Sequence, residues 1–181
     1  MGEGYDPRKH HRRSIRLKDW DYRTPGYYFV TICTYQRNLF FAEPSVKEIV
    51  EMTWRLIPKQ PHARHVQLDE WIVMPNHLHG LLFLTRLEGD ETAPPPEKGP
   101  RPRSLPSIVG SFKSLVTRRI NRLAKTPGRK IWQRGYYERI VRNERELNAI
   151  RRYIRANPAR WAEDRENLDS LVARMNRTQT K

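Results

Sequence analysis

The chain has 181 residues, with 35 Lys or Arg against 20 Asp or Glu, a net charge of +15 at pH 7. That length fits one domain with extensions. The single cysteine, Cys33, excludes an internal disulfide and any zinc cluster built from cysteines, and no run approaches the ~18 apolar residues a membrane span needs. Residues 1–18 carry charge without an apolar core, so no secretory signal is read there. The expectation is a cytoplasmic, nucleoid-associated protein with a polyanionic partner.

Residues 1–23 read as a basic N-terminal arm, residues 24–165 as the functional domain, and residues 166–181 as a polar tail. Within the domain, Tyr27 to Tyr35 is dense in β-branched and aromatic residues and predicts a buried strand. Pro44-Ser45 opens a helix whose stripe is Val46, Ile49, Val50, Trp54 and Ile57; Pro58 and Pro61 close it. Val66 to Met74 and His77 to Thr85 predict two strands, and Pro75-Asn76 between them fits a tight turn, so they form an antiparallel hairpin. Residues 86–106 hold six Pro and read as a flexible loop or spacer. Ser107 to Leu123 predicts an amphipathic helix with Ile108, Phe112, Leu115, Val116 and Ile120 on one side. Ile131 to Val141 predicts a fourth strand region, interrupted at Gly135. Asn143 with Glu146 three residues on is a capping box, and the helix it opens runs to about Asn157, where Pro158 stops it. The order is that of an α+β, ferredoxin-like β-α-β-β-α-β antiparallel sheet with helices packed on it, followed by one C-terminal helix.

The charge is concentrated: +3 over 1–23, −2 over 24–100, +14 over 101–160, and zero beyond. Arg supplies 26 of the 35 basic residues, and arginine both forks onto phosphate and stacks on bases. Interleaved with Trp132, Tyr136 and Tyr137, this stretch suits a nucleic acid strand with unstacked bases, although an isolated basic run is often only a solvated surface.

His77 and His79, two apart on a strand, point to one face about 6–7 Å apart. Such a pair fits two polar strand residues as readily as a metal site. Leu81 and Phe83 share their face, Leu78, Leu82 and Leu84 take the other, and the turn end of the strand is where a metal pocket would open to solvent. On the last helix Tyr153 and Asn157, four apart, share a face. By position alone Tyr153 is an amphipathic core tyrosine and Asn157 a helix-end residue. As a pair they place a tyrosine nucleophile one turn from a carboxamide metal ligand.

The run Trp71-Ile72-Val73-Met74-Pro75-Asn76-His77-Leu78-His79-Gly80 resembles the histidine motif of the HUH single-strand nucleases. Tyr27-Phe29-Val30-Thr31, with Arg37, is similar to their first strand. Trp132 to Arg139, Arg142-Asn143-Glu144 and Tyr153-Ile154-x-x-Asn157-Pro158 resemble the REP-associated tyrosine transposases, relatives of the single-tyrosine insertion-sequence transposases. The resemblance spans roughly residues 12 to 165. It implies that His77, His79 and Asn157 hold a divalent metal, Mg²⁺ or Mn²⁺, with Mn²⁺ the better match to imidazole. It implies that Tyr153 attacks a DNA phosphorus to leave a 5′-phosphotyrosine and a free 3′-hydroxyl. The implied partner is single-stranded or hairpin DNA, a repetitive extragenic palindrome. A monomer is expected, with a dimer that exchanges the tyrosine helix as the alternative. Arg118, Arg119, Arg122, Arg134, Arg139, Arg142, Arg151, Arg152 and Arg155 are the candidate DNA contacts, and phosphate contacts of this kind fix position more than sequence.

Two other readings compete with this strand-transfer enzyme. One is a non-catalytic hairpin DNA- or RNA-binding protein on the same fold, which needs none of His77, His79, Tyr153 and Asn157 as a set. The other is a metal-dependent phosphohydrolase using water, for which Glu138 or Glu70 would be the base. Tyr136 and Tyr137 read as packing or base stacking, Cys33 as inert packing inside a buried strand, His62 and His65 as loop residues, and His10 and His11 as part of the basic arm.

Overall fold

β-Branched and aromatic residues crowd Gly26–Cys33, and this segment forms the first strand, β1. Pro44–Arg55 follows as helix α1, with Pro44 in the first turn, where no intrahelical N–H is required. Val66–Met74 and His77–Leu84 are β2 and β3, joined at Pro75-Asn76 as the antiparallel hairpin the turn chemistry predicts, with Met74 opposite His77. Leu105–Leu123 is α2, Tyr137–Ile140 is β4, and Glu144–Ala156 is α3. The computed structural model describes residues 20–86 and 99–161. Most of the N-terminal arm, the centre of the Pro-rich stretch and the 166–181 tail lie outside the described residues. None of the described helices is long and apolar enough to cross a membrane.

The four strands make one antiparallel sheet in the order β2-β3-β1-β4, the α+β arrangement that the element order implies. Strand alternation then assigns the layers. Tyr28, Val30 and Ile32 of β1 and Leu78, Leu82 and Leu84 of β3 face α1 and α2, closing the main core around Trp54, Ile108, Phe112 and Val116. Phe29 and Leu81 face the other way, against Leu147, Ile150 and Ile154 of α3. Thus α1 and α2 cover one face and α3 covers the other.

Gly80 is set by close approach. A Cβ there would lie 2.2 Å from Cζ2 of the Trp54 indole. The bare backbone lets α1 lie flat on β3 between Leu78 and Leu82 while the indole meets Phe112 edge-on, ring centres 5.0 Å apart.

Two boundaries differ from the sequence reading. The helix read as starting at Ser107 begins at Leu105, capped by Ser104, whose Oγ accepts from the Ser107 N–H at 3.4 Å. Pro106 suggested a loop, but proline is tolerated in a first helical turn. The fourth strand is short. Upstream of it only the Thr34–Trp132 bridge pairs, because Gly135, at φ +75°, turns the chain away.

Candidate active site

The β1–β3 register sets the site. Thr31 lies opposite His79 and Cys33 opposite His77, all on the sheet face under α3. His79 is 0% and His77 2% exposed. The sequence placed this pair in a pocket opening to solvent; instead it is covered. Tyr153 lies against His79 with ring centres 5.1 Å apart, and the Trp161 ring, just past α3, lies near-parallel to His77 at 6.0 Å. Phe29 packs against both His79 (5.5 Å) and Tyr153 (6.3 Å, edge-on).

Each imidazole is oriented through Nδ1. His77 Nδ1 bonds Asn76 Oδ1 at 2.7 Å; that oxygen accepts only, so Nδ1 carries a hydrogen and donates it. His79 Nδ1 meets Thr31 Oγ1 at 2.8 Å. Both Nε2 atoms therefore turn inward and stand 3.0 Å apart, and the Tyr153 hydroxyl is 3.2 Å from His79 Nε2. Tying the outer nitrogen so that the inner one is presented is how metal-binding histidines are held.

Helix α3 brings the remaining groups. Asn143 Oδ1 accepts from the Glu146 N–H at 2.9 Å, as the capping box predicts. Glu146 also accepts from the Arg142 N–H at 3.0 Å and ion-pairs Arg139 of β4, so one carboxylate fixes the helix start to the sheet. At the far end Asn157 is the C-cap residue, 2% exposed, and its Oδ1 has no hydrogen-bond partner. An unsatisfied buried carboxamide oxygen is unfavourable, and a cation removes that penalty.

The spacing of the two imidazoles fits a divalent ion. Ligands at right angles on an octahedral ion with bonds of about 2.1 Å are about 3.0 Å apart, and the two Nε2 atoms have that separation. Two imidazole nitrogens and one amide oxygen form a borderline set, better matched to Mn²⁺ than to Mg²⁺. Among the described residues no group of three or more His, Cys, Asp or Glu could hold a metal, so the candidate set depends on its asparagine.

The azimuth of α3 is braced from its other edge. Within the β2 register shift between Leu68 and Trp71, Asp69 and Glu70 are both aimed toward the helix. Arg151 grips Asp69 through Nε (3.0 Å) and Nη2 (2.5 Å) and also donates to Asn148 Oδ1 at 3.2 Å. Arg155 holds Glu70 through Nε at 2.9 Å. Burial would raise the Asp69 carboxyl, but the Arg151 guanidinium, the Glu70 N–H and Arg155 together hold it below the usual carboxylate range.

The candidate DNA-binding arginines divide. Arg118, Arg119 and Arg122 lie on α2, across the sheet from the histidines, and Arg119 donates to Thr53 Oγ1 at 2.8 Å, tying α2 to α1. Arg139, Arg151 and Arg155 are engaged with acids on the α3 side. Arg118, Arg122, Arg134, Arg142 and Arg152 are exposed. The basic third of the chain is therefore two surfaces and not one ring around Tyr153, because the sheet separates its two helices.

Other residues also sort by position. Tyr137 shares the site face beside Thr31, and burial pushes its hydroxyl pKa up. Glu138 points to the opposite face, and Glu70 is ion-paired, so neither stands beside the histidines as a base. Cys33, read as buried packing, is half-buried at the strand end opposite His77. His65, read as a loop residue, is buried and bonds Arg103 O at 2.9 Å, while His62 lines a groove beside α2. Sequence reasoning missed Thr31, Asn76, Phe29 and Trp161. A hydroxyl interrupting an apolar strand, and an amide directly before the first histidine, were the available signals for the first two.

No family model matches the chain. It is 34% identical over 185 residues to an uncharacterised protein of Haemophilus influenzae, covering 93% of this chain and all of that one. Among solved structures it is similar to a REP-associated tyrosine transposase bound to a REP hairpin, with a TM-score of 0.53, 16% identity, and coverage of 82% of this chain and 73% of that one. The chain belongs to one family with the Haemophilus protein, on the fold of that transposase.

Proposed function

We propose that this protein is a metal-dependent single-stranded DNA endonuclease and strand transferase that acts on palindromic hairpin DNA through a 5′-phosphotyrosine at Tyr153. The observation that carries the reading is the pair of inward-facing His77 and His79 Nε2 atoms with the Tyr153 hydroxyl 3.2 Å from the second; the buried, unpartnered Asn157 Oδ1, one turn past Tyr153 on the same helix, is the proposed third ligand. A divalent ion held by His77, His79 and Asn157 would polarise the scissile phosphate and offset its developing charge.

The protein's own groups do the rest. Tyr153, wedged against Phe29 and His79, is oriented for attack. A free tyrosine hydroxyl keeps its proton at neutral pH, so that proton leaves to water as the oxygen bonds to phosphorus. The bond from phosphorus to the 3′ oxygen breaks, and that oxygen takes a proton from water. The number of phosphoester bonds is unchanged, so a 3′-hydroxyl can reverse the step and rejoin strands. Hairpin DNA as the substrate is supported by the REP hairpin bound to the similar solved structure. Within one chain the Tyr153 hydroxyl reaches His79 Nε2, the arrangement a monomer acting in cis requires.

The test uses 5′- and 3′-labelled hairpin DNA with Mn²⁺, resolved on a denaturing protein gel. A covalent adduct on the 5′ side is expected, falling by roughly 10³-fold or more in Tyr153→Phe. Binding without an adduct leaves a hairpin-binding protein in place of the enzyme. Cleavage retained in Tyr153→Phe removes the tyrosine assignment.

A further inference from the structure

On the α2 side of the sheet, away from the histidines, an open groove of about 800 Å³ runs between the Trp20–Tyr22 segment, the start of α2 and the Gly135-Tyr136 turn. That size is within the range of small-molecule sites, roughly 300–1,000 Å³. Of the aromatic residues lining the groove, Tyr22 is buried at its base, Tyr136 is half-buried and Trp20 is exposed. Trp20 is 37% exposed, an unusual state for a large apolar ring, yet it is fixed: its Nε1–H donates to Tyr28 Oη at 3.1 Å, and that hydroxyl donates to Thr24 O at 2.7 Å. The segment is also held to α2, because the Leu105 N–H donates to Tyr22 O at 3.0 Å. Opposite stands Tyr136, whose turn is tied to α2 by Lys113 Nζ donating to Gln133 O (2.8 Å) and Gly135 O (2.9 Å).

The floor is bare helix. Gly110 sits mid-α2, and a Cβ there would meet nothing within 4 Å. A glycine in a helix interior is unfavourable by about 1 kcal/mol relative to alanine, and here no neighbouring group needs the space. Basic groups outnumber acidic ones around the groove: Arg101, ion-paired to Asp21 at 3.4 Å, and Lys113 line it, and the exposed Arg134 adjoins Gly135. Pre-oriented aromatic rings beside positive charge are the arrangement on which unpaired bases stack while their phosphates are neutralised.

We infer that this groove, floored by Gly110 and walled by Trp20, Tyr22 and Tyr136, holds an unpaired nucleobase from the single-stranded part of the DNA substrate. The inference rests on the proposed DNA reading and adds to it a base-binding site on the sheet face opposite Tyr153.

The experiment measures binding of the full-length protein by fluorescence anisotropy to three DNAs: a blunt hairpin, the same hairpin with a single-stranded extension, and the extension with one base at a time removed to leave an abasic sugar. Trp20→Ala and Gly110→Phe are compared with wild type. Gly110→Phe fills the groove from a helix position with open space, so it keeps the fold if Trp20→Ala loosens the N-terminal segment. Wild type is expected to prefer the extended hairpin. Both variants lose about tenfold on the extended hairpin and nothing on the blunt one. One abasic position costs wild type the same factor and the variants nothing further. Equal losses on blunt and extended DNA, or no loss in Gly110→Phe, overturn the inference. The proposed function is judged separately: if the Tyr153 adduct forms normally while these variants behave as wild type, only the groove fails, and if no DNA binds or reacts, both fail.

Discussion

The two faces of the sheet use similar sequence for opposite ends. α2 and α3 are both amphipathic, arginine-bearing helices packed on the same four strands. Under α1 and α2 the sheet buries a large continuous apolar core, with Trp54 seated directly on Gly80. Under α3 the apolar cluster is small, and polar groups fill what it leaves: Thr31, His77 and His79 are all buried there. The difference teaches where a small domain keeps its stability and where it places chemistry. The densely packed face holds β1 and β3 rigid, and that rigidity permits buried polar atoms 3 Å apart on the reverse.

If so, damage to the packed face should appear as lost stability, and damage to the polar face as lost function. Tyr153→Phe is the largest functional case, and its thermal midpoint should stay close to that of wild type, since the Phe29 contact is kept. Thr31→Val is next. Removing the hydroxyl that orients His79 should weaken Mn²⁺ binding about 10–100-fold by calorimetry while the β1–β3 pairing persists.

Gly80→Val breaks the packed face. The added atoms collide with the Trp54 indole, and overpacking of this kind costs about 1–3 kcal/mol, read as a lower denaturant midpoint with loss of activity only through unfolding. Asp69→Asn sharpens the comparison from the α3 side. The loss should be roughly 0.5–1 kcal/mol at pH 7, because the pair is partly exposed. Asp69 is held below its unfolded value of about 3.9, so the pair's stabilisation is complete above that value and disappears as pH falls through the lowered folded value. Wild type and Asp69→Asn should therefore converge in acid. The smallest contrast is within α2: Arg119→Ala loses the bond to Thr53 and about 1 kcal/mol, whereas exposed Arg118→Ala stays within about 0.5 kcal/mol.

Much of this was readable in the chain. The order of seven elements follows from periodicity and punctuation: alternating or continuous apolar runs for strands, a 3.6-residue stripe for helices, and proline, glycine and asparagine at their ends. The hairpin turn at Pro75-Asn76 and the cap at Asn143 are local, so local chemistry specified them. His77 and His79 share a face because strand geometry requires it, and Tyr153 and Asn157 because helix geometry does.

What brings Tyr153 against the histidines is not local. Their meeting depends on α3 crossing under the sheet, on the Thr31–His79 register, and on an irregularity in β2 that aims adjacent acids at Arg151 and Arg155. The sequence also shows +14 in one third of the chain, but not that a sheet divides it, because side-chain charge carries no information about which layer a helix joins. Composition and spacing determined the elements and the candidate residues. Only packing, in which distant segments compete to bury their apolar faces, decided that the histidines are covered, that Arg139, Arg151 and Arg155 of the candidate DNA contacts are engaged by acids, and that a groove beside Trp20 opens on the opposite side.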